Sequence, residues 1–105
     1  MPGYIYALTS MCGRHLKIGV TNKLANRIKQ LRRSTPFDFS VSGFAMLADG
    51  TTAARLEREC HATYVKSGFS GFGGATEWMK VTPDLMSWVS QFVLCSSAQA
   101  INDIH

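Results

Sequence analysis

The sequence lacks the cysteine pattern of a disulfide-stabilised or metal-stabilised domain. Its cysteines, Cys12, Cys60 and Cys95, are odd in number and widely separated, and no Cys-x-x-Cys pair occurs. Such spacing indicates neither a disulfide framework nor a structural zinc site. We therefore expect reduced thiols, which fit a cytoplasmic protein best.

Long apolar runs are also missing. No window reaches the roughly 18 uninterrupted apolar residues of a transmembrane helix, and the first residues do not form a charged segment followed by an apolar core and a cleavage site. We expect neither export nor a membrane anchor. The glycine-rich segment 67–74 does not end in the Gly-Lys-Ser/Thr of a nucleotide-binding loop, which argues against an NTPase.

Acidic residues are absent from the first 37 positions. That stretch holds seven basic residues, and the first acidic residue is Asp38. The net charge of +4 for the whole chain therefore understates the local positive field. Clustered cations favour a polyanionic partner, with nucleic acid first and an anionic membrane surface second.

What the sequence does contain is enough apolar material for one core. The chain has 105 residues, of which 46% are hydrophobic, and a chain of this size folds around a single centre. We predict one domain over residues 1–95, followed by a small, polar tail over residues 96–105.

The apolar patterns predict a small α/β domain of the α+β kind, in which a three-stranded, mainly antiparallel sheet is flanked by helices. Thr21 and Asn22 are the cap signal of the first helix, and Thr51 or Thr52 caps the second. Pro36 ends the first helix, because proline disfavours helical geometry in the residue before it. The predicted strands cover 3–9, 15–19 and 39–47, the predicted helices cover 23–33, about 51–66 and a segment from 82, and a short extended segment covers 77–81.

Four side chains on different elements are candidates for phosphodiester chemistry. Hydrolysis of a phosphodiester needs a base for water, a cation for the charge that develops on the phosphate oxygens, and a carboxylate that holds a divalent metal ion. On a helical wheel, Arg27 and Glu57 fall at the border between the apolar stripe and solvent, where both can line one cleft. The candidates are Tyr6 on the first strand, Lys17 on the second, Arg27 on the first helix and Glu57 on the second.

The order and spacing of these residues resemble the GIY-YIG nuclease domain family, in particular its compact phage and bacterial branch. The resemblance covers residues 3 to about 81. It implies that a tyrosine or lysine deprotonates water, that Glu57 holds one Mg²⁺ or Mn²⁺ ion, and that Arg27 stabilises the charged phosphate during hydrolysis of DNA. The segments that carry it are Gly3-Tyr4-Ile5-Tyr6, Lys17-Ile18-Gly19, Arg27, Leu56-Glu57-x-x-x-His61 and the later pair Glu77-Trp78.

Two departures from the family pattern leave the general base open between Tyr6 and Lys17. Tyr4 stands where the first motif has glycine, and Lys17 stands where the second motif has tyrosine. A lysine base requires a pKa that is lowered by burial or by neighbouring cations, for which Arg14 and Arg27 are candidates.

Each of these side chains also has an ordinary structural interpretation. Tyr6 would be a half-buried strand residue, and Lys17 a solvated strand lysine. Arg27 would be one more member of a basic helix face, and Glu57 a partner in a helix salt bridge. His61 is either a core histidine or a contact to substrate, and Glu57 with His61 lacks a third ligand for zinc. Glu59 is the internal control and should be a solvated charge.

We expect a metal-dependent endonuclease that cuts DNA. The alternatives are a catalytically silent relative that binds nucleic acid, and a relative that binds protein, such as a phage inhibitor docking on a host protein. Cutting both strands with one site per chain requires a homodimer or two binding events. The side chains expected to contact DNA are Arg14, Lys23, Lys29, Arg32, Arg33 and His61.

Overall fold

Four β-strands form one antiparallel sheet at the centre of the computed structural model, which describes residues 3–47 and 49–93. The prediction of a three-stranded sheet is wrong, because a fourth strand pairs with the second through Met79 opposite Leu16. The sequence predicts an extended segment here, but a strand of three residues is too short for alternation to reveal its partner. The predicted tail at 96–105 lies outside the described residues. The strands are β1 (Gly3–Ser10), β2 (His15–Thr21), β3 (Phe39–Leu47) and β4 (Trp78–Lys80), in the spatial order β3-β1-β2-β4.

Three α-helices in the described part of the chain cover both faces of this sheet, in agreement with the α+β prediction. The first packs on one face through Ile28 and Leu31. The other two pack on the opposite face through residues such as Cys60 and Leu85. None of the helices within 3–47 and 49–93 has the length and apolar character needed to cross a bilayer. The helices are α1 (Leu24–Ser34), α2 (Gly50–Thr63) and α3 (Pro83–Phe92), and a 3-10 turn at Ala75–Glu77 precedes β4.

The register of β1 against β2 decides which side chains share a face of the sheet. Tyr6 lies opposite Gly19, and Leu8 lies opposite Lys17, so these positions face α1. Ile18 projects to the other face, toward α2 and α3. Because helices cover both faces, the Lys17 side chain in the middle of β2 is enclosed by the fold, whereas His15 and Thr21 at its two ends are only partly buried.

The N-caps of the first two helices differ from the prediction. Lys23 is the N-cap residue of α1, and Thr21 accepts the N–H of Lys23 outside the helix at 3.1 Å. Asp49 caps α2, because its carboxylate accepts the N–H of Thr51 at 2.9 Å. A carboxylate at this position also interacts favourably with the helix dipole, which explains why Asp49 is the cap instead of the threonines that follow it. The helix α2 ends at Thr63, earlier than predicted.

Candidate active site

The four side chains that the sequence singles out come together beside the uncovered half of β2. β4 pairs with residues 15–17 only, so from Ile18 onward one edge of β2 has no strand partner within residues 3–47 and 49–93. Tyr6 approaches from β1 and Arg27 from α1, and the Arg27 guanidinium donates a hydrogen bond to the Tyr6 hydroxyl. Lys17 lies on β2 itself, and Glu57 reaches the same region from α2.

Gly19 makes room for the ring of Tyr6. The two residues face each other across β1 and β2, and a β-carbon added at Gly19 would collide with the hydroxyl oxygen and the ring of Tyr6. Tyr6 is only 1% exposed, so its ring has little freedom to move aside. Close approach of an aromatic ring, and not a turn, therefore accounts for glycine at this point of β2.

The environment of Tyr6 keeps its phenol protonated. Burial raises the pKa of Tyr6 above its usual value, and the hydrogen bond from Arg27 acts in the opposite direction. Because the hydroxyl accepts from Arg27, its own proton is available for donation to a water molecule or a phosphate oxygen. In this state the Tyr6 hydroxyl is a hydrogen-bond donor and not a base.

Lys17 is enclosed by the fold, so its interpretation as a solvated strand lysine is wrong. Its side chain is 0% exposed and donates hydrogen bonds to the Glu77 carboxylate and to the carbonyl oxygen of Gly74, the latter at 3.1 Å. Gly74 has a φ of 77°, and a β-carbon there would lie 2.6 Å from the Lys17 ammonium. Both the left-handed backbone and the close approach require glycine at this position. The glycine-rich segment thus serves to wrap a buried lysine.

Burial lowers the pKa of Lys17, as a lysine base requires. The ion pair with Glu77 opposes this shift, and the charge of Arg27 adds to it. Lys17 is therefore easier to deprotonate than a solvated lysine.

Glu57 and His61 bond to the free edge of β2. The backbone N–H of Val20 donates to the Glu57 carboxylate, and His61 Nε2 donates to the carbonyl oxygen of Ile18 at 2.9 Å. Residues four apart on a helix are separated by about 6 Å along its axis, and residues two apart on a strand by about 6.7 Å. The two spacings match, so one face of α2 satisfies backbone groups that a further strand would otherwise bind.

His61 is fixed in one tautomer by this arrangement. A carbonyl oxygen can only accept, so Nε2 carries the proton and Nδ1 is left to accept from the Lys66 ammonium, which contacts it. Burial lowers the pKa of His61, and the hydrogen bond to Ile18 opposes that shift. These contacts hold the His61 side chain against β2, and its contact with DNA stays a prediction.

The environment of Glu57 suits a cation. Burial raises the pKa of Glu57, and the nearby charge of Glu77 raises it further. Both effects disfavour the ionised carboxylate, and a bound cation would stabilise it. Glu59, on the outer side of the same helix, is exposed, as expected of the internal control.

The donor set fits magnesium or manganese better than zinc. Across residues 3–47 and 49–93, no group of three or more histidine, cysteine, aspartate or glutamate side chains is arranged to hold a metal ion. Zinc sites require three or four such ligands, whereas Mg²⁺ is commonly bound through one or two carboxylates together with the substrate phosphate and water. Glu57 alone therefore fits an ion that is shared with a phosphodiester substrate.

Five of the six residues expected to contact DNA are exposed, and His61 is partly buried. One of the exposed five, Arg32, also makes contacts within the fold. Arg32 donates to the carbonyl oxygen of Phe39 at 3.1 Å, and its guanidinium lies 4.8 Å from the centre of the Phe39 ring. These contacts hold the Arg32 side chain against β3. The exposed members of the set are Arg14, Lys23, Lys29, Arg32 and Arg33.

The sequence does not reveal three contributors to the site. Glu77 is noticed only as half of the Glu77-Trp78 pair, with no partner assigned, and Gly74 only as part of a glycine-rich loop. Lys66, the neighbour of His61, is not singled out. The signal for Glu77 is indirect: an enclosed lysine on a central strand requires an acidic partner from elsewhere in the chain.

Comparisons with known proteins return matches over most of the chain. The sequence profile of the T5orf172 domain matches residues 3–94. A protein of Escherichia phage T5 named "Putative endonuclease" is 31% identical over 96 residues, which cover 88% of this chain. The chain spans 34% of the length of that relative. No solved structure matches the chain significantly.

Proposed function

Because the chain belongs to the T5orf172 domain family, we propose that it is a metal-dependent endonuclease that hydrolyses DNA phosphodiester bonds through a site of the GIY-YIG type. The name of the phage T5 relative supports the class of reaction, and the motifs around Tyr6 and Lys17 support the type of site. One observation carries the proposal: the candidate side chains of four elements, β1, β2, α1 and α2, lie close enough for their charges to act on one another.

Arg27 stabilises the phosphate in this proposal. Its side chain is partly exposed while it hydrogen-bonds the buried Tyr6, so other N–H groups of the guanidinium can reach a phosphate oxygen. The weak contact of Arg27 to Gln30, at 3.4 Å, is one that substrate can displace. A guanidinium held in place on one side is a preorganised partner for the charge that develops during attack by water.

Glu57 is the residue that would hold the divalent ion. When bound, Mg²⁺ or Mn²⁺ neutralises charge on the phosphate and makes a bound water a stronger nucleophile. The hydrogen bond from the Val20 N–H fixes the Glu57 carboxylate before any ion arrives. Such positioning of a ligand by its neighbours is what metal sites generally require.

We favour Lys17 over Tyr6 as the group that accepts the proton from water. The pKa of Lys17 is lowered by burial while that of Tyr6 is raised, and a base is more effective when its pKa lies nearer the working pH. Glu77, which accepts a hydrogen bond from Lys17 and is 39% exposed, offers a route for that proton to solvent. Tyr6 then orients water or phosphate by donating from its hydroxyl.

The test is nicking of supercoiled plasmid by the purified protein in Mg²⁺, Mn²⁺ or EDTA. Nicking should require the metal and should fall by about 100-fold or more in Arg27→Ala and in Glu57→Gln. The glutamine is close in shape to the native side chain and keeps an acceptor for the Val20 N–H. Glu59→Gln, on the same helix but exposed, should nick like the wild type.

Nicking that survives EDTA, or that is unchanged in Glu57→Gln, would remove the metal site from the proposal. Absence of nicking on plasmid and on branched DNA in every metal would remove the nuclease. Each protein is first checked for a native melting transition, so that loss of activity is not loss of fold.

One observation favours a second candidate, a relative that binds nucleic acid without cutting it. The Lys17 ammonium is already paired with Glu77, and the raised pKa of Tyr6 from burial makes its phenol a poor base. A silent relative would bind DNA with an affinity that falls steeply with salt, and Glu57→Gln would leave that affinity unchanged.

A further inference from the structure

An open groove next to the site holds an aromatic side chain that the proposed reaction does not use. The groove has a volume of about 390 Å³. Tyr4 is only partly buried in it, and its ring meets the ring of Phe44 edge to face at a centroid distance of 6.2 Å. The groove is lined by Tyr4, Phe44, Leu24, Asn22, Lys23 and Asn26.

Tyr4 projects to the same face of β1 as Tyr6. Tyr4 precedes Tyr6 by two residues on β1, and alternate residues of a strand project to one face. It lies opposite Thr21 on β2, in the uncovered half of that strand. A strand rises about 3.3 Å per residue, so the two tyrosines are offset by about 7 Å along β1.

The groove is also continuous with the region around Arg27. A neighbouring depression of about 290 Å³ is lined by Arg27 together with Asn22, Lys23 and Asn26, and the last three also line the groove. The two depressions therefore share one wall, at the start of α1. A polymer with one phosphate on Arg27 can continue into the groove along this wall.

The chemistry of the groove matches one nucleotide. Tyr4 provides aromatic surface and is supported from behind by the largely buried ring of Phe44. The first turn of α1 contains no acidic residue. Lys23 is exposed at the rim and carries a positive charge. The side-chain amides of Asn22 and Asn26 offer both donors and acceptors, as the edges of a base require. Aromatic stacking beside a cationic rim is the usual arrangement for binding single nucleotides of a strand.

We propose that this groove binds a nucleobase of the DNA strand next to the phosphate that is cut, with Tyr4 as the stacking surface and Lys23 beside the adjoining phosphate. The identity of the polymer rests on the proposed function. The groove would hold the strand in register with Arg27, so that Tyr4 positions substrate without touching the reacting atoms.

The test is a titration of ¹⁵N-labelled protein with deoxyadenosine monophosphate, with deoxyadenosine and inorganic phosphate as separate probes. The monophosphate should shift the amide signals of Tyr4, Phe44 and Asn26, whereas phosphate alone should shift only signals near Lys23 and Arg27. Tyr4→Ala should weaken binding of the monophosphate roughly tenfold, because a base–aromatic stack is lost. Tyr4→Phe keeps the ring and should bind like the wild type.

Lys23→Glu separates loss of binding from loss of fold. Lys23 is exposed at the N-terminus of α1, where a negative charge is favourable to the helix. This variant should therefore fold normally and still bind the monophosphate more weakly. The melting temperature of every variant is recorded beside its titration.

Two results would overturn the inference. One is a set of shifts with the monophosphate that equals the set with inorganic phosphate, or no shifts at all. The other is equal affinity of Tyr4→Ala and the wild type for the monophosphate. Plasmid nicking by the wild type distinguishes the two proposals. If the protein nicks plasmid but does not bind the monophosphate as described, the nuclease proposal stands and the groove proposal is wrong. If it binds the monophosphate in this way but does not nick DNA, the groove proposal stands and the nuclease proposal is wrong.

Discussion

Lys17 and Glu77 form an ion pair whose partners differ in access to solvent. The Lys17 side chain is fully buried, whereas Glu77 is 39% exposed. Removing one partner of a pair is most costly when the charge left behind is buried. Loss of the Glu77 carboxylate should therefore lower the free energy of unfolding more than loss of the Lys17 ammonium.

Substitution of the two partners should accordingly have unequal effects. Glu77→Gln is expected to lower the free energy of unfolding by about 1 to 3 kcal/mol, because a neutral acceptor replaces a charged one beside a buried ammonium. Lys17→Met fills a similar volume with an apolar chain and should leave the free energy of unfolding about unchanged. Urea denaturation of both variants gives the comparison, and equal losses would contradict it.

Ionised Glu57 should lower the free energy of unfolding of the protein. Burial raises the pKa of Glu57, with Glu77 acting in the same direction, so the folded state binds this proton more tightly than the unfolded chain does. The contribution of Glu57 to stability therefore falls as pH rises from the usual carboxyl pKa through the raised value, and at pH 7 the ionised carboxylate destabilises the fold.

Glu57→Gln is thus expected to raise the melting temperature at pH 7 without metal, while the proposed nicking activity falls by about 100-fold or more. Glu59→Gln, which changes an exposed charge on the same helix, should alter neither property. Thermal melts in EDTA test the first effect. A lower melting temperature for Glu57→Gln would mean that the carboxylate stabilises the fold, contrary to this expectation.

At the scale of elements, α2 replaces a missing strand at the edge of β2. Glu57 and His61 bond to backbone groups of Val20 and Ile18 that β4 is too short to reach. A single helix face thereby protects a strand edge and presents a carboxylate to the site. Because the same contacts hold α2 against β2 and position Glu57, a substitution that breaks them should affect both stability and the candidate site.

Stability should depend on pH through His61. Burial lowers the pKa of His61, so the unfolded chain takes up this proton more readily than the folded state. Stability is then lost as pH falls through the usual histidine value near 6.5. His61→Gln, whose amide can still donate to the Ile18 carbonyl, should lose less stability between pH 7.5 and pH 5.5 than the wild type does. Urea denaturation at the two pH values measures this, and parallel losses would rule out His61 as the source.

At the scale of the whole molecule, positive charge is concentrated in one part of the chain, but its members differ in what they do. Arg33 is exposed, and it donates a long hydrogen bond of 3.5 Å to the Lys29 carbonyl oxygen. Arg32 is held against β3 by its hydrogen bond to the Phe39 carbonyl and its position over the Phe39 ring. Arg33 is suited to contact phosphate, whereas Arg32 also holds α1 against β3.

Substitutions of Arg33 and Arg32 should therefore have different effects on DNA binding and on stability. Arg33→Gln is expected to weaken DNA binding uniformly across sequences and to reduce the salt slope by about one, with little change in melting temperature. Arg32→Gln should lower stability by about 1 to 2 kcal/mol, through loss of the hydrogen bond and the cation–π contact. Binding isotherms at several salt concentrations, with melts of the same proteins, test both. Equal changes in binding and in melting temperature for the two variants would contradict these different roles of Arg33 and Arg32.

The chain sequence by itself determined most local elements and the candidate residues of the site. Strand β3 at residues 39–47 and helix α3 with its proline start follow from alternation and capping, which are properties of neighbouring residues. Tyr6, Lys17, Arg27 and Glu57 could be named because their order along the chain resembles a known family. What they do in this protein is still a proposal.

Only the tertiary structure decided that β4 is a fourth strand, that Lys17 is buried and that Glu77 is its partner. Lys17 and Glu77 are 60 residues apart, and no local pattern connects them. The sequence of β2 alternates as a half-exposed strand does, yet helices cover both of its faces, so the lysine is enclosed. Burial and ion pairing depend on which elements meet in space, and those meetings are determined by packing of the whole chain.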